Sequence, residues 1–146
     1  MSLREDISKY IVLALKEIED PRINLVSRDP FEVDKLAISQ FPALLVTFAL
    51  ETRETVSMGE SAMGRRSGTL EYDLRGFVRG TELDTLRNTL IESVEEKLDE
   101  DRYLGQRANG VLDTQVTEIE VIPRLQPLAE VRIRLVVRYN YLRGNT

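Results

Sequence analysis

The sequence predicts a single α+β domain: a mainly antiparallel four-stranded sheet in the order helix, strand, strand, helix, strand, strand, with both helices packed on one face and a long loop between the first two strands. Three observations lead there. Residues 3–18 and 82–99 carry apolar side chains at spacings of three and four, the signature of a helix with one buried stripe. Residues 69–79 and 129–142 instead alternate with period two, as half-buried strands do. A chain of 146 residues, 42% hydrophobic and 31% charged, has the size and composition of one domain with its own core rather than of a disordered segment.

The first helix places Leu3, Ile7, Ile11, Ala14, Leu15 and Ile18 on one stripe. Ser2 is its expected N-cap, with Glu5 as the other half of a capping box, and Asp20-Pro21 ends it, because the residue before a proline is pushed out of the helical region. Tyr10, Val12 and Leu13 widen the stripe beyond what one core face needs: a deeply buried helix and a second contact face both account for it. Residues 22–40 carry little pattern beyond an Asp29-Pro30 turn; a short strand around Asn24–Ser27 is compatible with them, and the stretch reads as a connector.

Ala43–Leu50 is apolar on both faces, which predicts a strand covered on both sides. Residues 51–67, polar and without a steady period, read as a long connection or hairpin tip. The following strand points Leu70, Tyr72, Leu74 and Val78 one way and Glu71, Asp73, Arg75 and Arg79 the other, and Gly80 closes it. In the second helix Leu83, Leu86, Leu90, Val94 and Leu98 form the apolar face, with Thr81 as N-cap. A glycine-containing loop at 105–110 leads to strands at Thr114–Ile122, closed by Pro123, and Ala129–Leu142.

The chemistry available to this chain is narrow. It has no histidine and no cysteine, so the commonest general acid/base, the commonest neutral metal ligand, thiolate metal sites and thiol nucleophiles are all missing. The carboxylates at Asp29, Asp34, Glu51, Asp73, Asp84, Asp101 and Asp113 fall among turns, a cap and an outward strand face, in no spacing that builds a catalytic pair. GESAMGRR at 59–66 invites comparison with a phosphate-binding loop but departs from it where the chemistry sits. Arg65 replaces the lysine, Arg66 stands where the magnesium-binding hydroxyl belongs, and a strand follows instead of a helix. No enzyme and no cofactor is expected.

A formal net charge of −5 disfavours nucleic acid and anionic membrane as partners. The short run Ile11–Leu15 is followed by charges rather than by a cleavage site, and no stretch approaches the roughly 20 apolar residues that span a bilayer. A cytoplasmic protein is the expectation. On the outward sheet face, Glu130, Arg132, Arg134 and Arg138 stand against Glu71, Asp73, Glu118 and Glu120, a pattern that suits either cross-strand ion pairs or a contact with another copy.

The layout resembles the tail terminator and tail-completion proteins of long-tailed bacteriophages. The residues that carry the resemblance are the N-terminal helix, ISQFPALLVTFALETRE (38–54), LRGFVRGTE (74–82), ESVEEKLDEDRYLG (92–105) and EVRIRLVVRYNY (130–141), so it covers nearly the whole chain as a similarity of arrangement, without an invariant motif. It implies a structural virion protein that forms a ring, typically hexameric, on the last ring of the tail tube, stops tube growth and offers a joining surface to the neck. The implied partners are further copies of the chain, the tail tube protein, a neck or head-completion protein and, where the tail contracts, the sheath. The implied location is the virion tail or neck, with assembly in the host cytoplasm. On this resemblance Tyr10, Val12 and Leu13 of the helix and the strand Ala43–Leu50, Leu45 included, belong to subunit contacts. The loop Thr55–Ser67, with Arg65 and Arg66, reaches towards tube or neck and becomes ordered there, and Glu71, Asp73, Arg132, Arg134 and Arg138 form the charged contact face. A neck, head-completion or tube ring protein shares these features. A cytoplasmic ferredoxin-like ligand-binding regulatory domain is the alternative of another class, and would show a small-molecule pocket near its loops.

Overall fold

A computed structural model describes residues 3–19, 22–55, 65–102, 104 and 110–142. Helix α1 (Leu3–Lys16) opens with Glu5 and Asp6 in its first turn and closes with Lys16 in its last, the charge order that opposes the helix dipole. Strand β1 (Leu25–Ser27) follows, then two single turns of 3-10 helix at Val33–Lys35 and Ile38–Gln40. Strands β2 (Ala43–Thr55) and β3 (Arg65–Arg79) form a long hairpin, helix α2 (Leu83–Glu100) comes next, and β4 (Val111–Ile122) and β5 (Leu128–Leu142) complete the chain.

The fold is α+β, but the sheet has five strands and is mixed, in the order β1-β2-β3-β5-β4. The expected four antiparallel strands are therefore corrected by one. Leu25, Val26 and Ser27 run parallel to Ala43, Leu44 and Leu45. Three residues are too few to show a period, and what makes them a strand is their neighbour. The Asn24 amide N–H donates to the Pro42 carbonyl at 2.9 Å, and its side-chain Nδ2 donates to the Phe41 carbonyl at 2.7 Å.

The loop expected at 51–67 is also shorter than read. Strand β2 continues through Thr55 and β3 begins at Arg65, with Thr55 in register with Arg66, because β3 is itself held by β5 from Arg65↔Leu142 to Arg79↔Leu128. Helix α2 begins one residue later than expected. Glu82 occupies its N-cap without a side-chain cap bond, so Thr81 does not cap it. Ser2, Asp20 and Pro21 lie outside the described residues.

Both helices bury their stripes against one face of the sheet. Ile7, Ile11 and Leu15 of α1 and Leu90, Val94 and Leu98 of α2 share a cluster with Leu44, Leu70, Tyr72, Leu74, Val131, Ile133, Leu135 and Val137. Burying each such side chain is worth about 1.5–3 kcal/mol. Gly76 lets α2 come close, since a Cβ there would stand 2.8 Å from Leu90 Cδ2.

A second, smaller cluster lies on the opposite face, where Val33 and Phe41 from the connector join Ala43, Leu45 and Phe77, with Phe31, Leu36 and Leu128 packed alongside. The connector is thus a cover for one end of the sheet. Its effect on β2 is graded: Ala43 to Val46 are buried, whereas Thr47 to Leu50 are exposed, so the strand expected to be covered throughout is covered only in its first half.

Candidate functional site

Strands of 15 residues span roughly 50 Å, whereas helices of 14 and 18 residues span about 21 and 27 Å. The helices are too short to roof the sheet from end to end. At the β4 border, Ile119 and Val121 are in register with Ile133 and Val131, on the helix side of the sheet, yet they remain 41% and 52% exposed. Leu86 of α2 and Leu112 of β4 are also exposed. An open cleft of about 310 Å³ runs between Leu83 and Arg87 of α2 and Val121, Leu128 and Ala129 of the sheet. Arg87 donates through Nη2 to Asp84 at 2.7 Å, while its buried Nε has no hydrogen-bond partner among the described residues.

Strand β4 pairs only with β5, so one edge of this 12-residue strand carries no strand partner among the described residues. At the other border the pairing of β1 ends at Ser27↔Leu45, which leaves the rest of β2 paired on one side only among the described residues, with Phe48 and Leu50 exposed. Among the described residues the sheet therefore has two open edges, each bearing exposed apolar side chains.

The face opposite the helices is laced with ion pairs. Arg134 of β5 donates through Nε to Asp73 at 2.7 Å and through Nη1 to Glu71 at 2.6 Å, both on β3. Arg132 pairs with Glu120 and lies 3.8 Å from Glu118 on β4. Arg138 is exposed and in register with Asp113, which also holds Arg102 at 2.8 Å. Cross-strand pairs of this kind contribute about 0.2–1 kcal/mol each. They also fix register, since a one-residue slip would set every partner on the wrong face.

Glu130, read from the sequence as an outward charge, is 2% exposed. Arg75 and Arg124 both donate through Nε to its carboxylate, at 2.9 and 2.8 Å, which makes its burial tolerable.

The remaining sequence-predicted residues divide. Tyr10 is half-buried and donates its hydroxyl to Asp101 Oδ2 at 2.6 Å, joining α1 to the end of α2; that bond, with partial burial, pushes its pKa up to about 12. Val12 packs against the main core, and Leu13 is 59% exposed. Leu45 leaves the candidate set, because it is 5% exposed within the smaller cluster of the chain's own Val33, Phe41 and Phe77. The backbones of Arg65 and Arg66 lie in the first residues of β3, and their side chains are outside the described residues.

Sequence reasoning missed the hub at Glu51. It accepts hydrogen bonds from Arg4 at 2.7 Å, from Arg53 at 3.0 Å and from the Tyr139 hydroxyl. Burial pushes the Glu51 carboxyl up, and the bonds from Arg4, Tyr139 and Arg53 outweigh it and hold the group below its ordinary value. A register shift between Phe48 and Leu50 is what turns Glu51 to the helix side, and a local irregularity of that kind leaves no period to read.

Among the described residues no group of three or more acidic side chains is arranged to hold a metal ion, and no helix is long and apolar enough to cross a membrane. No protein-family model and no curated protein sequence matches the chain.

Proposed function

We propose that this protein is a structural component of a bacteriophage tail, a terminator that closes into a ring on the end of the tail tube, stops its polymerisation and presents the surface joined by the neck. The observation that supports the reading best is the pair of open sheet edges at opposite borders, β4 on one side and the second half of β2 on the other, each with exposed apolar side chains. Two different surfaces on one chain suit head-to-tail association, and head-to-tail association closes into a ring when the rotation per step allows it. Termination then requires that one end of the ring match the tube while the other cannot accept a further tube ring. The charged face adds register and discrimination between partners more than affinity.

A neck, head-completion or tube ring component would use the same surfaces, and its position on the particle separates it from a terminator. The purified protein, mixed with tail tubes and imaged by negative-stain electron microscopy, is expected to cap one tube end with a single ring. Solitary monomers and undecorated tube ends, in a chain whose thermal stability rises with a metabolite, would favour the regulatory-domain reading instead.

A further inference from the structure

At the connector end of the open sheet face, the turn between β4 and β5 encloses a cleft of about 480 Å³ lined by Arg75, Ile122, Pro123, Arg124, Leu125, Leu128, Glu130 and Asp34. Its floor is an unusual charge arrangement. One buried carboxylate, Glu130, receives Nε of two arginines, so these three side chains carry a formal excess of one positive charge, which the exposed Asp34 on the cleft wall balances over the lining as a whole.

Both guanidinium groups are held in place a second time by the buried Phe77 ring, with Cζ of Arg75 at 5.3 Å and Cζ of Arg124 at 5.5 Å from its centroid. Phe77 in turn meets Phe31 edge-on at 5.7 Å. Because each arginine spends only Nε on Glu130, the Nη groups of both have no acceptor among the described residues. Asp34 lines the same cleft but makes no ion pair with either.

We infer that this cleft binds a carboxylate side chain presented by an acidic segment of a partner protein, with the guanidinium groups of Arg75 and Arg124 as its charge contacts. Two guanidinium forks, each anchored through Nε on Glu130 and stacked near Phe77, suit a carboxylate that reaches their Nη groups from the solvent side. The apolar wall of Ile122, Pro123 and Leu128, with Leu125 standing 89% exposed at its rim, selects a peptide over a bare anion, because it offers cover to the residue next to the acid. This inference does not depend on ring formation.

The test is a titration of the 15N-labelled full chain with two blocked dipeptides, acetyl-Leu-Glu-amide and acetyl-Leu-Gln-amide, followed through backbone amide shifts. The glutamate peptide is expected to give saturable shifts at Phe77, Leu125, Leu128 and Glu130, and the glutamine peptide to bind at least about tenfold more weakly. Arg124→Gln should weaken the glutamate peptide by about tenfold. Leu125→Ser, at a position too exposed to affect folding, should weaken it by about threefold and carries the test should Arg124→Gln not fold. Equal binding of the two dipeptides, unchanged binding in the folded variants, or tighter competition by inorganic phosphate would overturn the inference.

Discussion

At the scale of single residues, the polar atoms that enter the main core are the ones on which stability turns most sharply. Ser8 of α1 is 2% exposed and its hydroxyl lies 2.7 Å from that of Tyr72, which is 1% exposed on β3. Each group has given up water and has the other as its partner. Ser8→Ala is therefore expected to cost about 1–3 kcal/mol, because it leaves the Tyr72 hydroxyl buried and unpaired. The double variant Ser8→Ala with Tyr72→Phe should recover part of that loss, since neither unpaired group then remains. Urea denaturation of the four members of the cycle checks both statements. Gly68 is fixed by sterics instead, since a Cβ there would come within 2.5 Å of the Tyr139 side chain that reaches over it to Glu51.

At the scale of elements, the informative strand is β4. Its burial falls from Val111 and Thr114, both buried, to an exposed run from residue 117 to 121, although Ile119 and Val121 remain on the helix side of the sheet. A long edge of this kind is normally blunted by charge, proline or a covering element, because its free N–H and C=O groups invite another strand. Here Pro123 ends the strand and Glu118 and Glu120 mark its outer face, while the apolar pair is left open. Replacing Ile119 and Val121 together by lysine is expected to change monomer stability by less than about 1 kcal/mol, as at other exposed positions. If the proposed ring forms through this edge, the same pair of changes should abolish self-association, both in sedimentation velocity and on tail tubes. If the lysine variant assembles as the parent does, β4 is not the contact.

At the scale of the whole molecule, the two helices are tied to each other, and two strands of the sheet to each other, by bonds that titrate together at high pH. Tyr10 joins α1 to the end of α2 through Asp101, and Tyr139 joins β5 to β2 through Glu51. Tyr10 is raised to about 12, first by its bond to Asp101 and then by burial. Tyr139 is raised to about 12, first by burial and then by its bond to Glu51. A tyrosine whose folded pKa lies above the ordinary value of 10.0 binds its proton more tightly in the folded chain. Its contribution is complete below pH 10.0 and is lost as pH rises towards 12. Denaturation midpoints should thus fall across that window, with a shallower fall in Tyr10→Phe. Tyrosinate absorbance, followed over the same range in the folded protein, should appear late for these two residues.

What the sequence by itself determined is everything with a sustained period. The helix stripes at Ile7, Ile11 and Leu15 and at Leu90, Val94 and Leu98, and the alternation from Leu70 to Val78 and from Val131 to Tyr139, each repeat often enough to name an element and its buried side. The pairing of Arg134 with Glu71 and Asp73 was legible for the same reason, since alternation puts all three on one face. Tertiary structure alone decided the features that depend on a partner distant in sequence. Strand β1 exists because β2 lies beside it, Leu45 is internal because Phe41 and Val33 fold over it, and Glu130 is buried because Arg75 and Arg124 converge on it from β3 and from the β4–β5 turn. Local sequence records a residue's preference for water or for a core. Which of two apolar faces receives a cover, and which is left open, is settled only by the lengths of the helices and connector available to lie on the sheet.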